Sequence, residues 1–542
     1  MMNQLEKCEG PGCTWKVLRE EVYTFGMEGR FLYVSKVTSD PYSDSETTRV
    51  MEVSSDGGNT WNEVQLPTIT SDRFYSILDM NEKMIFMHVD NPGDTGHGTL
   101  YISDATGIIF SESLQRHLYP NFIDVTDFYR VLSMRGVYLA SQMEHDDSIH
   151  TMITYDRGGI WQPVPRPEGV PCKTESKRCN LQIHNRYSVV NSINAQLPLS
   201  SENAVGIILV HGHVADVLQN SDPDVFVSSD GGYSWRLALK GPHHYQIADQ
   251  GGLLVAVPSD TLTPKVIKFS TDEGRCWHEY EFTRENIVFK RLLTEPGNTE
   301  MSVAIWGYHQ DTNMWKTIVI DFRSVLARQC FDDDYETWTA HFDNSKDPAY
   351  AGCLLGVKET FSRLKKDSWC YNGHSKEIKM SEQSKCSCTE ADYDCDYGYY
   401  RSSGSGMCRL DPAFKGSELD ICLRGHMEEL VNVGYHKMPG DVCEGGFTPT
   451  APKTIKMKER CVEGDKSWVA DETHQTIYKS KKNVRLSTKS SAQFFTFFLT
   501  VLQRKEELHP GRFGCCCSAV CLCCHRVLCS QIRTHEEVLT HC

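Results

Sequence analysis

Four aspartates head one recurring pattern in this chain. Asp56, Asp156, Asp230 and Asp272 are each followed by a glycine two residues on and a tryptophan five residues on. A positioned carboxylate could serve as a general acid or base, the chemistry of a glycoside hydrolase. Such a site, built for an acidic sugar, would also need a tyrosine nucleophile, an acidic helper and several arginines converging on the substrate carboxylate. Tyrosines and arginines are present, but no spacing gathers them near any of the four aspartates. The same pattern reads better as a turn. In VSSDGGNTW (53–61) an aspartate precedes two glycines, so its carboxylate accepts downstream backbone N–H groups, and the tryptophan opens a return strand. Asp56, Asp156, Asp230 and Asp272 are therefore expected to be structural.

Cysteine offers the second chemistry. The chain of 542 residues has 23 of them, unevenly placed. The first 329 residues hold only Cys8, Cys13, Cys172, Cys179 and Cys276. Ten follow within about 130 residues: Cys330, Cys353, Cys370, Cys386, Cys388, Cys395, Cys408, Cys422, Cys443 and Cys461. An even, dense set in a short stretch suits disulfides in an oxidising compartment, with a pairing that spacing cannot reveal. Zinc at Cys386 and Cys388 is the rival, and it lacks a second close pair of ligands at finger spacing. No metal or cofactor is expected. The last eight cysteines, three of them consecutive (Cys515, Cys516, Cys517), make a poor template for orderly disulfides. A metal cluster or acylated cysteines would also fit there, but an atypical and disordered terminus is the expectation for 468–542.

The elements that must position these residues are strands. Runs such as 74–80, 83–89 and 98–103 are separated by short Gly/Pro/Asp turns and recur with the aspartate pattern. The aspartates lie 100, 74 and 42 residues apart, and a worn copy around Asp104 splits the longest gap. A unit of roughly 40 to 50 residues is one four-stranded propeller blade. About five or six blades are expected over 1–325 in an all-β fold, with a β-sandwich as the plainer alternative. Cystine-held modules are expected over 326–467, including a short helix at KETFSRLKK (358–366).

The bulk properties narrow the partners. A formal charge of −16 speaks against nucleic acid. No run of about 20 apolar residues is available to span a bilayer, the best being 492–502. The opening MMNQLEKCEGPG lacks the features of an export signal, which conflicts with the cysteines, so a truncated chain is the expectation.

Longer phrases carry a family likeness. EEVYTFGMEGRFLYVS (20–35), DRFYSIL (72–78), MIFMHVDNPGDTGHGT (84–99), NAVGIILVHG, VIKFSTDEG, WCYNG, CDYGYYR and GYHKMPGD together resemble the sortilin-type Vps10 domain receptors over roughly 12–467. The resemblance implies a ten-bladed propeller of which this chain carries the later part, then two small modules holding ten cysteines. It implies binding of peptides and proteins, such as neuropeptides and neurotrophin precursors, and their routing between Golgi, endosome and cell surface on the luminal or extracellular side. It also implies a pocket for a peptide's C-terminal carboxylate. At matching motifs that pocket would use Arg49 in TTRVMEV, Ser35 in FLYVSKV, and Phe74, Tyr75 and Ile77 in RFYSI. A guanidinium suits a carboxylate, and alternate residues along the FYSI strand could line an apolar wall. Taken alone, Arg49 would be read as a solvent-facing strand residue. Two other functions remain for comparison, a structural adhesive module and a sialidase-like hydrolase.

Overall fold

In a computed structural model the described residues are 3–9, 14–28, 31–39, 47–64, 75–81, 84–91, 95–108, 110–119, 126–172, 179–326, 328–342, 352–365, 368–373, 380–395, 399–401, 407–410, 430–432, 434–449, 453–455, 476–480 and 533–538. The fold is all-β, and its chain divides into two compact units, 1–121 with 385–490 and 122–384 with 491–542.

The first unit opens with β1 (Asn3–Glu9), β2 (Lys16–Glu28), β3 (Phe31–Ser39), β4 (Thr47–Ser54) and β5 (Asn62–Glu63), paired antiparallel in that order. A second sheet follows the same rule with β6 (Tyr75–Asn81), β7 (Met84–Asp90), β8 (His97–Ser103) and β9 (Phe110–Leu118). The seven residues MIFMHVD of β7 are all buried, so this strand reads as a continuous apolar run rather than an alternating one. Between the two sheets, Phe31, Met51, Val53, Ile85, Met87, Val89 and Tyr101 form one buried cluster.

The second unit repeats the arrangement. Its sheets are β10 (Phe128–Arg130) to β11 (Tyr138–Met143), β12 (Ile149–Thr154) and β13 (Trp161–Pro163), in that order. Next, β14 (Asn180–Ile183) and β15 (Leu199–Ser200), with helix α1 (Arg186–Val190) between them, both pair with β16 (Ile208–Ala215), followed by β17 (Asp224–Ser228) and β18 (Arg236–Leu239). Then come β19 (His243–Ala248), β20 (Leu253–Pro258), β21 (Val266–Ser270) and β22 (His278–Glu281). The last sheet has β23 (Ile287–Leu293), β24 (Ser302–His309) and β25 (Trp315–Asp321). Sheets made of sequential antiparallel strands are the pattern of propeller blades.

Each aspartate pattern forms the turn expected of it. In the first unit Asp56 Oδ1 accepts from Ser54 Oγ (2.7 Å), Asn59 N (3.0 Å) and Thr60 N (2.9 Å), while Ser54 Oγ accepts from Gly58 N (2.9 Å). In the second unit Asp230 Oδ1 accepts from Ser228 Oγ (2.8 Å) and Ser234 N (2.9 Å), and Gly232 N donates to Ser228 Oγ (2.8 Å). Trp61 Nε1 and Trp235 Nε1 close the loop by donating to Gly58 O and Gly232 O at 3.1 and 2.9 Å. Glycine is required at the turn because Gly58 and Gly232 have φ of 89° and 95°, where a side chain is strained. The worn copy works too: Thr106 Oγ1 and Ile108 N donate to Asp104. Asp230→Ala is expected to cost about 0.5 to 2 kcal/mol in unfolding free energy, by the scale of lost caps and local hydrogen bonds. Chemical denaturation measures it, and an unchanged midpoint with lost ligand affinity would contradict the structural role.

The expected helix at 358–366 is a strand. β26 (Tyr335–Thr339), β27 (Cys353–Leu354) and β28 (Val357–Leu364) form an antiparallel sheet, with Trp338 opposite Phe361. Alternation decides it: Val357, Glu359, Phe361 and Arg363 share one face at period two, and Thr360 and Phe361 favour extended backbone. The strand delivers Arg363 to Ser229 O at 2.7 Å and to the Glu273 carboxylate, with its guanidinium 4.7 Å from the Trp338 ring. It thereby braces two of the aspartate turns. The NG of WCYNG has a matching task. Asn372 N and Gly373 N donate to the buried Asp249 carboxylate at 2.9 and 3.0 Å.

Among the described residues the late cysteines form the bridges Cys330–Cys370, Cys388–Cys443 and Cys395–Cys408. Cys353 and Cys386 are also disulfide-bonded, and so is the earlier pair Cys172–Cys179. The zinc reading therefore lacks its thiolates. Cys422 and Cys461 lie outside the described residues, as does most of the stretch 468–542. Within that stretch 476–480 and 533–538 are strands that pair with β1 and β25, so the expectation of disorder does not hold for those two segments. All ten positions from Cys330 to Cys461 are expected to react with an alkylating agent only after reduction. Peptide mapping by mass reads this, and labelling at five or more of them in folded, unreduced protein would overturn it.

Candidate functional site

The residues implied for a carboxylate pocket all fall in the first unit, and Ser35, Arg49, Tyr75 and Ile77 lie on three strands. Ser35 lies on β3, 3% exposed, directly opposite Met51 of β4. Arg49 stands opposite Val37, one same-parity step along the ladder from the Ser35–Met51 pair. Tyr75 and Ile77 lie on β6 opposite Val89 and Met87, and a register shift follows Ile77. Both are half-buried and pack against the cluster that contains Met51, Met87 and Phe31. Phe74 and the Arg49 side chain lie outside the described residues. Tyr75 and Ile77 thus pack on the apolar cluster that includes Met51, the ladder partner of Ser35.

On the opposite face of the same strands stand polar groups that sequence reasoning missed. Ser76, between Tyr75 and Ile77, faces His88 across the ladder, and its Oγ is 3.3 Å from the Tyr119 hydroxyl. Tyr119 stacks on His88 with centroids 4.5 Å apart. His88 Nδ1 lies 2.9 Å from His117 Nδ1, and both rings are buried. Burial, then the neighbouring His117 and His97, hold the His88 imidazole well below its usual value, so it stays neutral. Ser76 lies 12 residues from His88 and 41 to 43 from His117 and Tyr119, and only the register of β6 to β9 brings these three segments together.

A hydrolytic reading of the four aspartates finds no support in their geometry. Burial raises the Asp56 carboxyl, yet hydrogen bonds from Thr60, Ser54 and Asn59 outweigh it and the net shift is downward. A carboxylate committed in this way to its own turn cannot hold the proton a general acid must donate. The Asp156 and Asp272 carboxylates accept backbone donors likewise, from Ile160 N and Cys276 N at 2.9 Å each. Among the described residues no helix is long and apolar enough to cross a membrane.

A family model described as sortilin, neurotensin receptor 3, matches residues 3–292, and its C-terminal companion matches 294–461. Sortilin of Mus musculus is 45% identical over 458 residues, which is 83% of this chain and 54% of that protein. Sortilin of Danio rerio is 45% identical over 467 residues, 85% of this chain and 56% of that protein. The chain therefore spans about half the length of the curated relatives it matches. Among solved structures an ancestral GH74 enzyme aligns at a TM-score of 0.28 with 11% identity, covering 72% of this chain and 49% of that one, a likeness too slight to carry an argument about activity. The two family models cover nearly all of 3–461 without a break, and the identity to sortilin runs through blades and cystine modules alike: the chain belongs to the sortilin family of Vps10-domain receptors, which are receptors and not enzymes.

Proposed function

We propose that this chain is the ligand-binding part of a sorting receptor and that it captures peptides and proteins through a pocket for a peptide's free C-terminal carboxylate. Arg49 supplies a planar two-pronged donor to the carboxylate, and the Ser35 hydroxyl supplies a further hydrogen bond. Phe74, Tyr75 and Ile77 accommodate the terminal apolar side chain. The observation that carries this reading is the shared cluster: Met51, the ladder partner of Ser35, belongs to the buried group against which Tyr75 and Ile77 pack. Residues 40 positions apart in sequence therefore support one wall. The cargo is then routed between Golgi, endosome and cell surface, in keeping with the receptor family.

Titration calorimetry with one peptide as its free acid and as its C-terminal amide tests the proposal. The free acid is expected to bind at least tenfold more tightly, since a charged bidentate contact contributes roughly 1.5 to 3 kcal/mol. Equal affinities would favour the alternative of a broad adhesive face, which has no reason to distinguish an acid from an amide.

A further inference from the structure

The cystine module of the first unit places two carboxyl groups near each other, and the ligand-binding reading leaves them unused. A carboxylate oxygen of Asp392, one of Asp441 and the Cys443 sulfur lie within 4.8 Å of one another. The Asp441 side chain is 0% exposed, and its Oδ2 is buried without a hydrogen-bond partner. We propose that Asp392 and Asp441 share a single proton, making a latch that is closed in mildly acidic solution and loosens when the proton leaves.

The surroundings explain why a proton, rather than two bare charges, belongs there. Asp392 Oδ2 caps its turn by accepting from Thr389 N (2.6 Å) and Thr389 Oγ1 (2.9 Å). Asp441 Oδ1 accepts from Cys443 N at 2.7 Å. Asp441 Oδ2 stays buried without a partner while one oxygen of Asp441 lies within 4.8 Å of one of Asp392, and two ionised carboxylates at this range repel. A proton between them converts repulsion into a short hydrogen bond. The charged groups around the pair come from each neighbouring segment. Lys437 Nζ is 4.0 Å from Asp441 Oδ1 and donates to Cys443 O at 2.7 Å. Tyr393 is the ladder partner of Lys437; next to it Asp394 pairs with Arg401 at 3.6 Å, and Lys385 pairs with Glu444. A metal ion is a weaker occupant, because the Cys443 sulfur is in a disulfide and the Lys437 ammonium stands beside the site.

The latch joins two turns that are otherwise held by Met438 N to Asp392 O (3.0 Å) and by the Cys388–Cys443 bridge. Burial, with Asp392 opposing ionisation, pushes the Asp441 carboxyl up to about 7, so the proton is lost between pH 6 and pH 8. A group whose value is raised on folding stabilises the fold below that value and loses its effect as pH rises through it.

Hydrogen exchange on the full chain tests the latch. After correction for intrinsic rates, protection of peptides covering 435–445 is expected to fall about tenfold from pH 6 to pH 8. Asp441→Asn, which keeps the shape and supplies a permanent N–H donor toward Asp392, is expected to flatten the change to less than about twofold, and Asp392→Asn to do the same. A flat profile in the unaltered protein overturns the proposal without recourse to either variant. So does protection restored at pH 8 by calcium chloride and removed by a chelator, which would make the pair a cation site.

Discussion

Arg49→Ala is expected to abolish measurable binding of a free-acid peptide, and Arg49→Lys to leave only a trace. Truncating one partner of a buried, hydrogen-bonded charge pair costs roughly 2 to 5 kcal/mol, because the ligand carboxylate is left desolvated with no counter-charge. On the affinity scale that is roughly thirtyfold to several-thousandfold. Lysine keeps the charge but has a compact ammonium in place of the flat fork, so it cannot hold both carboxylate oxygens together. Calorimetry with the free acid measures the loss, and denaturation of the same variant shows that the fold survives. Arg49 is the third residue of β4, before the buried Met51 and Val53, so its removal is not expected to disturb the core. Asp230→Ala is the converse control, with lower stability and unchanged affinity. Retained affinity in Arg49→Ala, together with no preference for the free acid, would remove Arg49 from the site.

Acidification is expected to destabilise the second unit through two buried histidines, by about 2 kcal/mol for each ring between pH 7 and pH 5. His184 and His211 are 0% and 1% exposed. Burial pushes both imidazoles down to about 3, with His213 adding to the effect on His184 and His243 to that on His211. The contacts show why a second ring proton is refused. Gln196 N donates to His211 Nδ1 at 2.6 Å and His243 N points at its Nε2 from 3.1 Å, so both ring nitrogens already face N–H groups. His184 contacts Ser188 Oγ at 2.8 Å and His213 Nδ1 at 3.2 Å. In the unfolded chain each ring titrates near 6.5, so as pH falls below that value the unfolded state takes up protons that the fold rejects. The depressed folded value means the stability is present above about pH 6.5 and is lost progressively toward pH 3. Asp127 and Asp249 work in the other direction. Burial pushes each up to about 6, so protonating them in the folded chain returns about 1.4 kcal/mol apiece over the same interval. The rings are therefore read by difference. The drop in unfolding free energy from pH 7 to pH 5 is expected to be about 2 kcal/mol smaller in His211→Gln than in the unaltered chain. An equal drop in both would show that His211 is already charged in the fold.

Local chemistry was legible from the sequence because it acts over short distances. An aspartate two residues before a glycine and five before a tryptophan can satisfy its turn only in one way, so the role of Asp56, Asp230 and their counterparts follows from the string alone. The strands β6 to β8 follow from short apolar and aromatic runs between Gly, Pro and Asp turn signals, and the crowding of cysteines after Cys330 announces cross-linking but leaves the pairing open. What failed was equally physical. KETFSRLKK contains good helix formers, yet it is a strand because β26 offers a ladder and Arg363 finds Ser229 O and Glu273, partners 90 to 134 residues away. No local propensity encodes such partners. The tertiary structure alone decided that Asn372 clasps Asp249, that His88, His117 and Tyr119 stack beside Ser76, and that Asp392 meets Asp441. Each is a contact between segments that only strand register and disulfides bring together, and its energy comes from burial, which a sequence read residue by residue does not contain.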